Sequence, residues 1–258
     1  MSLFINALIF IGSAVSIALF LFWILRPYIK PHSLKNDEAI VGYIFSATAL
    51  VYAVVLAFVV FAVWDRYTTT RAVVTSEAAA VVVAFRDTQR LPEPVRSKAQ
   101  AEYRNYIQYV MVKEWKSHGS VMKHTSPDPL NSTWELYRDM VPQDASEEAG
   151  LSSAESSLGN LESQRHFRHL AGEASLPTIF WPLLIGGGLI TVISSYFFTM
   201  KSVSAHYILT GILATIIAGV LFLIFSINYP FTGNVRVSQD PFRHALQQFD
   251  ALNLKSGN

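Results

Sequence analysis

Hydrophobic residues are gathered into four long runs without a charged residue, at positions 3–25, 40–63, 176–200 and 207–229. Each run exceeds the about 20 apolar residues that an α-helix needs to cross a bilayer. Aromatic residues of the kind that favours the bilayer interface, such as Trp23 and Trp64, lie near the ends of the runs. The pattern predicts four transmembrane helices.

Charged residues are concentrated between the second and third runs. Of the 39 Lys, Arg, Asp and Glu residues, 28 lie at positions 65–173. The second run has no stop signal at its end, because neither Pro nor Gly occurs between Trp64 and Pro92. Apolar residues continue there at helical spacing, including Val74, Val81 and Phe85. We therefore expect one long helix that leaves the bilayer and ends near Pro92.

Helical patterns also account for the rest of the charged segment and for the C-terminal end. Ala99, Tyr103, Tyr106 and Val110 form one stripe, a capping box at Ser132 predicts a short helix, and a last helix is expected at about 146–174. After a Pro-Phe-Thr-Gly turn at 230–233, Asp240 and Pro241 suit the start of a short amphipathic helix. No strand period of consequence is present.

These elements predict an all-α membrane protein with a helical extramembrane domain inserted between the second and third membrane helices. The predicted divisions are as follows: membrane helices one and two at 1–64, the extramembrane domain at 65–175, membrane helices three and four at 176–230, and a C-terminal tail with its amphipathic helix at 231–258.

Four spans place both termini and the extramembrane domain on one side of the membrane. Arg26, Lys30 and Lys35 in one short loop and Lys201 in the other favour cytoplasmic short loops, with the domain outside the cytoplasm. Four arginines near the membrane on the domain side favour the opposite orientation: Arg66, Arg71, Arg165 and Arg168. We prefer the first orientation.

Composition narrows the possible functions. The net charge of +1 without a long basic run argues against nucleic acid as a partner, and the absence of cysteine excludes disulfides and thiolate zinc sites. Phosphate-binding loops, nucleophile elbows and His-Glu-x-x-His motifs are also missing from the sequence. Glu77 and Glu114 are interpreted as structural partners of arginines inside the helical domain. We predict no enzymatic activity and no cofactor.

Small and hydroxylated residues give the membrane runs their only distinctive pattern, because the runs contain no ionisable Asp, Glu, Lys, Arg or His. One row lies in the second run and one in the third. The candidates are Ala49, Ala53, Ala57, Gly187, Thr191, Ser194 and Ser195. Such residues permit close helix packing, which is our preferred interpretation, or line a narrow pore.

A helical quartet near the third run has the spacing of a metal site. Glu162, His166, His169 and Glu173 fall on one helix face, but neighbouring arginines would repel a cation. We therefore favour a salt-bridged helix surface and predict no metal site. Arg165 and Arg168, with Arg66 and Arg71, are alternatively candidates for contact with lipid phosphates or for shaping the potential of an anion vestibule.

Short motifs along nearly the whole chain resemble the bestrophin-like family of bacterial multipass membrane proteins, a family of unknown function. They include Gly42 to Phe45, Tyr52-Ala53, Leu56-Ala57-Phe58, Trp64, Glu77-Ala78, Leu91-Pro92, Tyr109, Glu114-Trp115, Arg165, Arg168, Leu176-Pro177, Trp181 and the turn at 230–233. Family members often carry an acidic residue before this turn, where this chain has Asn228. Bestrophins are oligomeric anion channels, so the resemblance implies an oligomeric, ion-conducting assembly.

We expect a homo-oligomeric ion channel of the bacterial inner membrane, conducting anions. The alternative is a non-conducting scaffold or sensor whose extramembrane domain binds a partner, and a membrane enzyme ranks third. The expected partners are the lipid bilayer, further copies of the chain and small inorganic ions, but not nucleic acid.

Overall fold

A computed structural model of the chain describes residues 2–28, 38–115, 128–198, 200 and 202–256. In these ranges all regular structure is helical, which agrees with the predicted all-α class. The helices are α1 Ser2–Leu25, α2 Glu38–Asp87, α3 Val95–Tyr109, α4 Pro129–Arg138, α5 Ala145–Glu173, α6 Phe180–Ser195, α7 Val203–Ile227 and α8 Asp240–Ser256. A 3₁₀ turn at Thr88–Arg90 follows α2, and a π-helical turn at Val110–Glu114 follows α3.

The chain divides into two compact units. The first, which we call the apolar unit, comprises Met1–Asp65 and Leu176–Asn228. The second, the charged unit, comprises Arg66–Ser175 and Tyr229–Asn258. Helix α2 contributes residues to both units, and the segment that we predicted as a C-terminal tail belongs to the charged unit.

Three described helices are long and apolar enough to cross a membrane: α1, α7 and the helix that contains the second run. The third run forms a shorter apolar helix, α6, of 16 residues. At 1.5 Å per residue, α6 is about 24 Å long, against about 30 Å for the hydrocarbon core of a bilayer. The chain turns at Thr178 and Ile179 before α6 and at Tyr196 and Phe197 after it.

Helix α7 begins earlier than the sequence pattern predicts. Ser202 caps its first turn by accepting a hydrogen bond from the Ala205 N–H at 3.3 Å, so His206 lies inside the apolar helix rather than in the preceding loop. The ring of His206 is buried against Phe22 of α1, with 4.4 Å between ring centroids. The run at 207–229 has no ionisable residue, but α7 starts before it and therefore also contains His206.

The charged unit has its own core. The predicted stripe residues of α2 and α3, including Val74, Phe85 and Tyr103, are buried there, except that Tyr67 at the start of the α2 stripe is half-buried against the core. Helix α8 packs onto this core through Phe249, whose ring stacks on that of Phe85 at 3.9 Å between centroids. The predicted continuous α2 is confirmed, since it runs without interruption to Asp87.

One predicted helix start was misplaced. Helix α4 begins at Pro129 rather than at the capping box of Ser132, because the Asp128 carboxylate accepts a hydrogen bond from the Leu130 N–H at 3.1 Å. Of the four loop residues that favour the predicted orientation, Arg26 is exposed, and Lys30, Lys35 and Lys201 lie outside the described residues.

Candidate functional site

Helix α2 is the element on which the candidate site is built. Its 50 residues contain no proline, and one side of the helix is buried from Tyr52 to Phe85. Tyr52, Leu56 and Val59 are buried in the apolar unit, and Val74 and Val81 in the charged unit. Because these residues recur every three or four positions, they lie on one side of α2, and exposed strips remain beside them.

One exposed strip of α2, beside its buried side, is mostly small or hydroxylated, whereas the side directly opposite carries the exposed Val54, Phe58 and Phe61 in the apolar unit. We call this strip the outward face of α2, and its members are Ala53, Ala57, Trp64, Thr68, Arg71, Thr75 and Ala79. Ala49 lies at its edge and is half-buried. Within the charged unit, this face forms an open groove of about 490 Å³. The two predicted alanines Ala53 and Ala57 are thus available to a neighbouring molecule or to a pore.

Arg71 is the feature that gives the outward face its charge. It is exposed, and no ion-pair partner for it lies in the described part of the chain. The Thr75 hydroxyl donates its hydrogen to the Arg71 backbone carbonyl at 3.0 Å, which leaves its oxygen as an acceptor. The guanidinium group of Arg71 is therefore the group on this stretch that can attract an anion.

The small residues of α6 have a different environment. Tyr52 of α2 donates a hydrogen bond to the Leu184 carbonyl at 2.8 Å, and its ring crosses α6 so closely that a Cβ on Gly187 would lie 2.6 Å from it. Gly187 therefore serves close approach of two helices of the same unit.

The α6 hydroxyls belong to the same packed side. Thr191 and Ser195 are only 2% and 9% exposed, and each donates to a carbonyl of its own helix. Ser194 is half-buried. Within one chain, Thr191 and Ser195 thus have the environment of helix packing.

A buried ion network lies behind the outward face of α2. Arg168 of α5 is completely buried, and its Nε donates to the Glu77 carboxylate of α2 at 2.5 Å. Its Nη2 also donates to Glu77 at 3.1 Å and to Glu114 of the π-helical turn. The Tyr106 hydroxyl of α3 completes the pairing by donating to Glu77 at 2.5 Å. Three helical elements are thereby tied to α2.

Arg165 extends the network by one turn of α5. Its Nε donates to Glu114 at 3.1 Å and its Nη1 to Asp128 at 2.6 Å. The guanidinium carbon lies 5.6 Å from the Tyr106 ring centroid and 5.9 Å from that of Tyr109, within cation–π distance. Glu77 and Glu114 are thus structural partners of arginines, as the sequence predicted.

Burial and charge act in opposite directions in this network. Burial opposes ionisation of Glu114, but the charges of Arg168 and Arg165 outweigh it and lower the pKa of that carboxyl. Burial, followed by the nearby charge of Glu77, raises the pKa of the Tyr106 hydroxyl well above 10. Glu114 is therefore ionised at neutral pH, and Tyr106 is a neutral donor.

The four predicted arginines are divided between two environments. Arg165 and Arg168 lie in the ion network, where carboxylates neutralise their charges. Arg66 is half-buried and Arg71 is exposed. A role for these arginines in an anion vestibule stays a prediction, and the exposed Arg71 is best placed for it.

The four residues of the predicted quartet on α5 differ in burial. His169 is buried, with its Nε2 3.7 Å from Glu114, whereas His166 and Glu173 are exposed and Glu162 is half-buried. Among the described residues, no group of three or more His, Asp or Glu side chains is placed to hold a metal ion.

Comparison with known protein families gives one match. The Bestrophin-like domain matches residues 12–242, which is most of the chain, and confirms the resemblance noted in the sequence. Comparisons with curated proteins and with solved structures give no match.

Proposed function

The chain belongs to the Bestrophin-like family, and from this premise we propose that it forms a homo-oligomeric channel for small anions. Its apolar unit contains three helices able to cross a membrane, as a channel subunit requires. The observation that carries the proposal is the outward face of α2, where exposed small residues are followed by the exposed cation Arg71. Copies of this face around an axis would form a path with a positive ring.

The proposed topology has four spans in the bacterial inner membrane. Helix α6 crosses together with its flanking turns, which extend its about 24 Å towards the thickness of the hydrocarbon core. Four crossings place both termini on one side. We retain the orientation in which the termini and the charged unit lie outside the cytoplasm.

The pore is assigned to α2 rather than to α6. Gly187, Thr191 and Ser195 are covered by their own chain, whereas Ala53 and Ala57 are exposed. In the proposed assembly Arg71 sets the potential at the pore entrance, and Arg66, half-buried on another side of α2, adds to it from behind. Arg165 and Arg168 act indirectly, because their ion pairs with Glu77 and Glu114 hold α2 in place.

Ion selectivity in planar bilayers tests this proposal. With a chloride gradient, the reversal potential is expected near the chloride equilibrium potential. Arg71→Gln removes one positive charge per subunit and is expected to reduce anion conductance several-fold at low salt, with a smaller effect at high salt because ions screen the charge. Arg138→Gln is the matched control, since Arg138 is exposed on α4.

A second candidate is a scaffold or sensor that does not conduct. The charged unit has an open groove of about 500 Å³ between α3 and α4, lined by apolar residues such as Val112 and by the polar residues Glu102, Asn105, Gln108 and Lys113. Such a groove offers hydrogen bonds to a protein partner. A folded oligomer that carries no current under any salt gradient would favour this candidate over the channel.

A further inference from the structure

The charged unit exposes a small apolar surface near the end of α5. Phe167 and Leu170 are each 51% exposed, and their spacing of three residues places them on one side of the helix. On the other side of the same turns, Arg168 and His169 are buried in the ion network. The two apolar side chains therefore point away from the core of the unit.

This surface is close in sequence to the point where the chain enters the apolar unit. Leu176 follows Leu170 by six residues, is buried in the apolar unit, and donates its N–H to the Asn228 side chain at 2.9 Å. Six residues span at most about 20 Å. Phe167 and Leu170 are thus tethered near the start of the third apolar run.

The chain leaves the apolar unit at the same place. Tyr229, which follows Asn228 directly, is 43% exposed. It shares a cavity of about 270 Å³ with residues at the end of α5, including Gly172 and Glu173. We call Phe167, Leu170 and Tyr229 the interfacial patch. Exposed tyrosine and apolar side chains that lie within a few residues of membrane-capable segments are the composition that the boundary between lipid headgroups and acyl chains favours.

We propose that the interfacial patch inserts into the headgroup region of the bilayer and holds the charged unit against the membrane surface. The attraction is apolar, because Arg165 and Arg168 of the same turns are ion-paired inside the unit. Three side chains are too few for a stable contact with a second copy, which needs about 800 Å² on each partner. The proposal does not depend on ion conduction.

Spin labels at single cysteines test the proposal directly, because the chain contains no cysteine of its own. The full-length variants Phe167→Cys and Leu170→Cys are labelled and placed in phosphatidylcholine vesicles. Val141→Cys, at a residue 77% exposed before α5, is the water control, and Leu209→Cys in α7 is the bilayer reference. For each label, the measurement compares collision with oxygen, which concentrates in lipid, and with a water-soluble nickel chelate.

The expected ratio of oxygen to nickel collisions at 167 and 170 is several-fold higher than at 141 and approaches that at 209. A ratio equal to that at 141 would place the patch in water and overturn the proposal. Labels shielded from both reagents would indicate a protein contact and overturn it too. So would a ratio that rises only when anionic lipid is added, since that result indicates attraction by charge.

Discussion

The two units of this chain use opposite means to fix the same helix. In the apolar unit, α2 is held by close approach, with the ring of Tyr52 lying against the bare backbone of Gly187. In the charged unit, α2 is held through Glu77 by a buried ion network. A membrane helix obtains little hydrophobic gain from leaving lipid for protein, so contact distance matters most there. In the charged unit, every buried charge needs a partner, so pairing matters most.

The largest effect is expected from breaking the ion network. Arg168→Leu leaves Glu77 and part of Glu114 buried without their cation, and we expect the charged unit to lose about 3–5 kcal/mol of unfolding free energy. Chemical denaturation measures this loss when it is monitored by the hydrogen exchange of backbone amides in α3 and α5. The control Arg138→Leu, at an exposed site of α4, should change stability by less than about 0.5 kcal/mol. Equal effects of the two variants would contradict the network's role.

The close approach in the apolar unit gives the next effect. Gly187→Ala adds a Cβ 2.6 Å from the Tyr52 ring and should cost about 1–3 kcal/mol through overpacking. Gly186→Ala is the matched control, because no atom lies within 4 Å of its added Cβ. Thermal unfolding in detergent compares the two variants. If Gly186→Ala destabilises as much as Gly187→Ala, contact with Tyr52 is not what the glycine serves.

Acid should lower the unfolding free energy of the charged unit more than that of the apolar unit. The arginines lower the pKa of folded Glu114 below its ordinary value of 4.5, so its ion pairs stabilise the fold above about pH 4.5. That contribution is lost as the pH falls from 4.5 through the lower folded pKa. Glu114→Gln should lower stability at pH 7 and flatten its decline in acid, measured by denaturation at several pH values. An unchanged decline would show that other groups control the acid response.

The smallest effect is expected on the packed side of α6. Thr191→Val removes a hydroxyl that bonds to its own helix at the Gly187 carbonyl, so stability should change by no more than about 1 kcal/mol. Ion selectivity should not change, because this side chain is covered by its own chain. A shifted reversal potential in planar bilayers would instead indicate that α6 lines the pore.

Local patterns were sufficient to predict the helical class and the continuous α2. Three of the four apolar runs coincide with membrane-capable helices, the third run forms the shorter α6, and the stripes of α2 and α3 identify the core of the charged unit. The start of α7 was misplaced because hydropathy gives no weight to the Ser202 cap, which brings His206 into the helix. Caps are side-chain contacts that apolar periodicity does not register.

The candidate site was less predictable because its contacts are distant in sequence. That Glu77 and Glu114 would pair with arginines could be predicted, but the pairing of Glu77 with Arg168 joins residues 91 positions apart. Whether Gly187 serves close helix packing or lines a pore could not be decided from the sequence either, since its neighbour Tyr52 lies on another helix. The π-helical turn that positions Glu114 left no signal that we could identify.

Thiol block of current tests most directly whether the outward face of α2 lines a pore. In this cysteine-free chain, Ala57→Cys and Thr68→Cys place a thiol on that face, and Ile185→Cys places one on the exposed side of α6. A charged, water-soluble thiol reagent should block the current of the α2 variants and leave that of the α6 variant unchanged. Unblocked current in both α2 variants, or block of the α6 variant alone, would contradict a pore lined by α2.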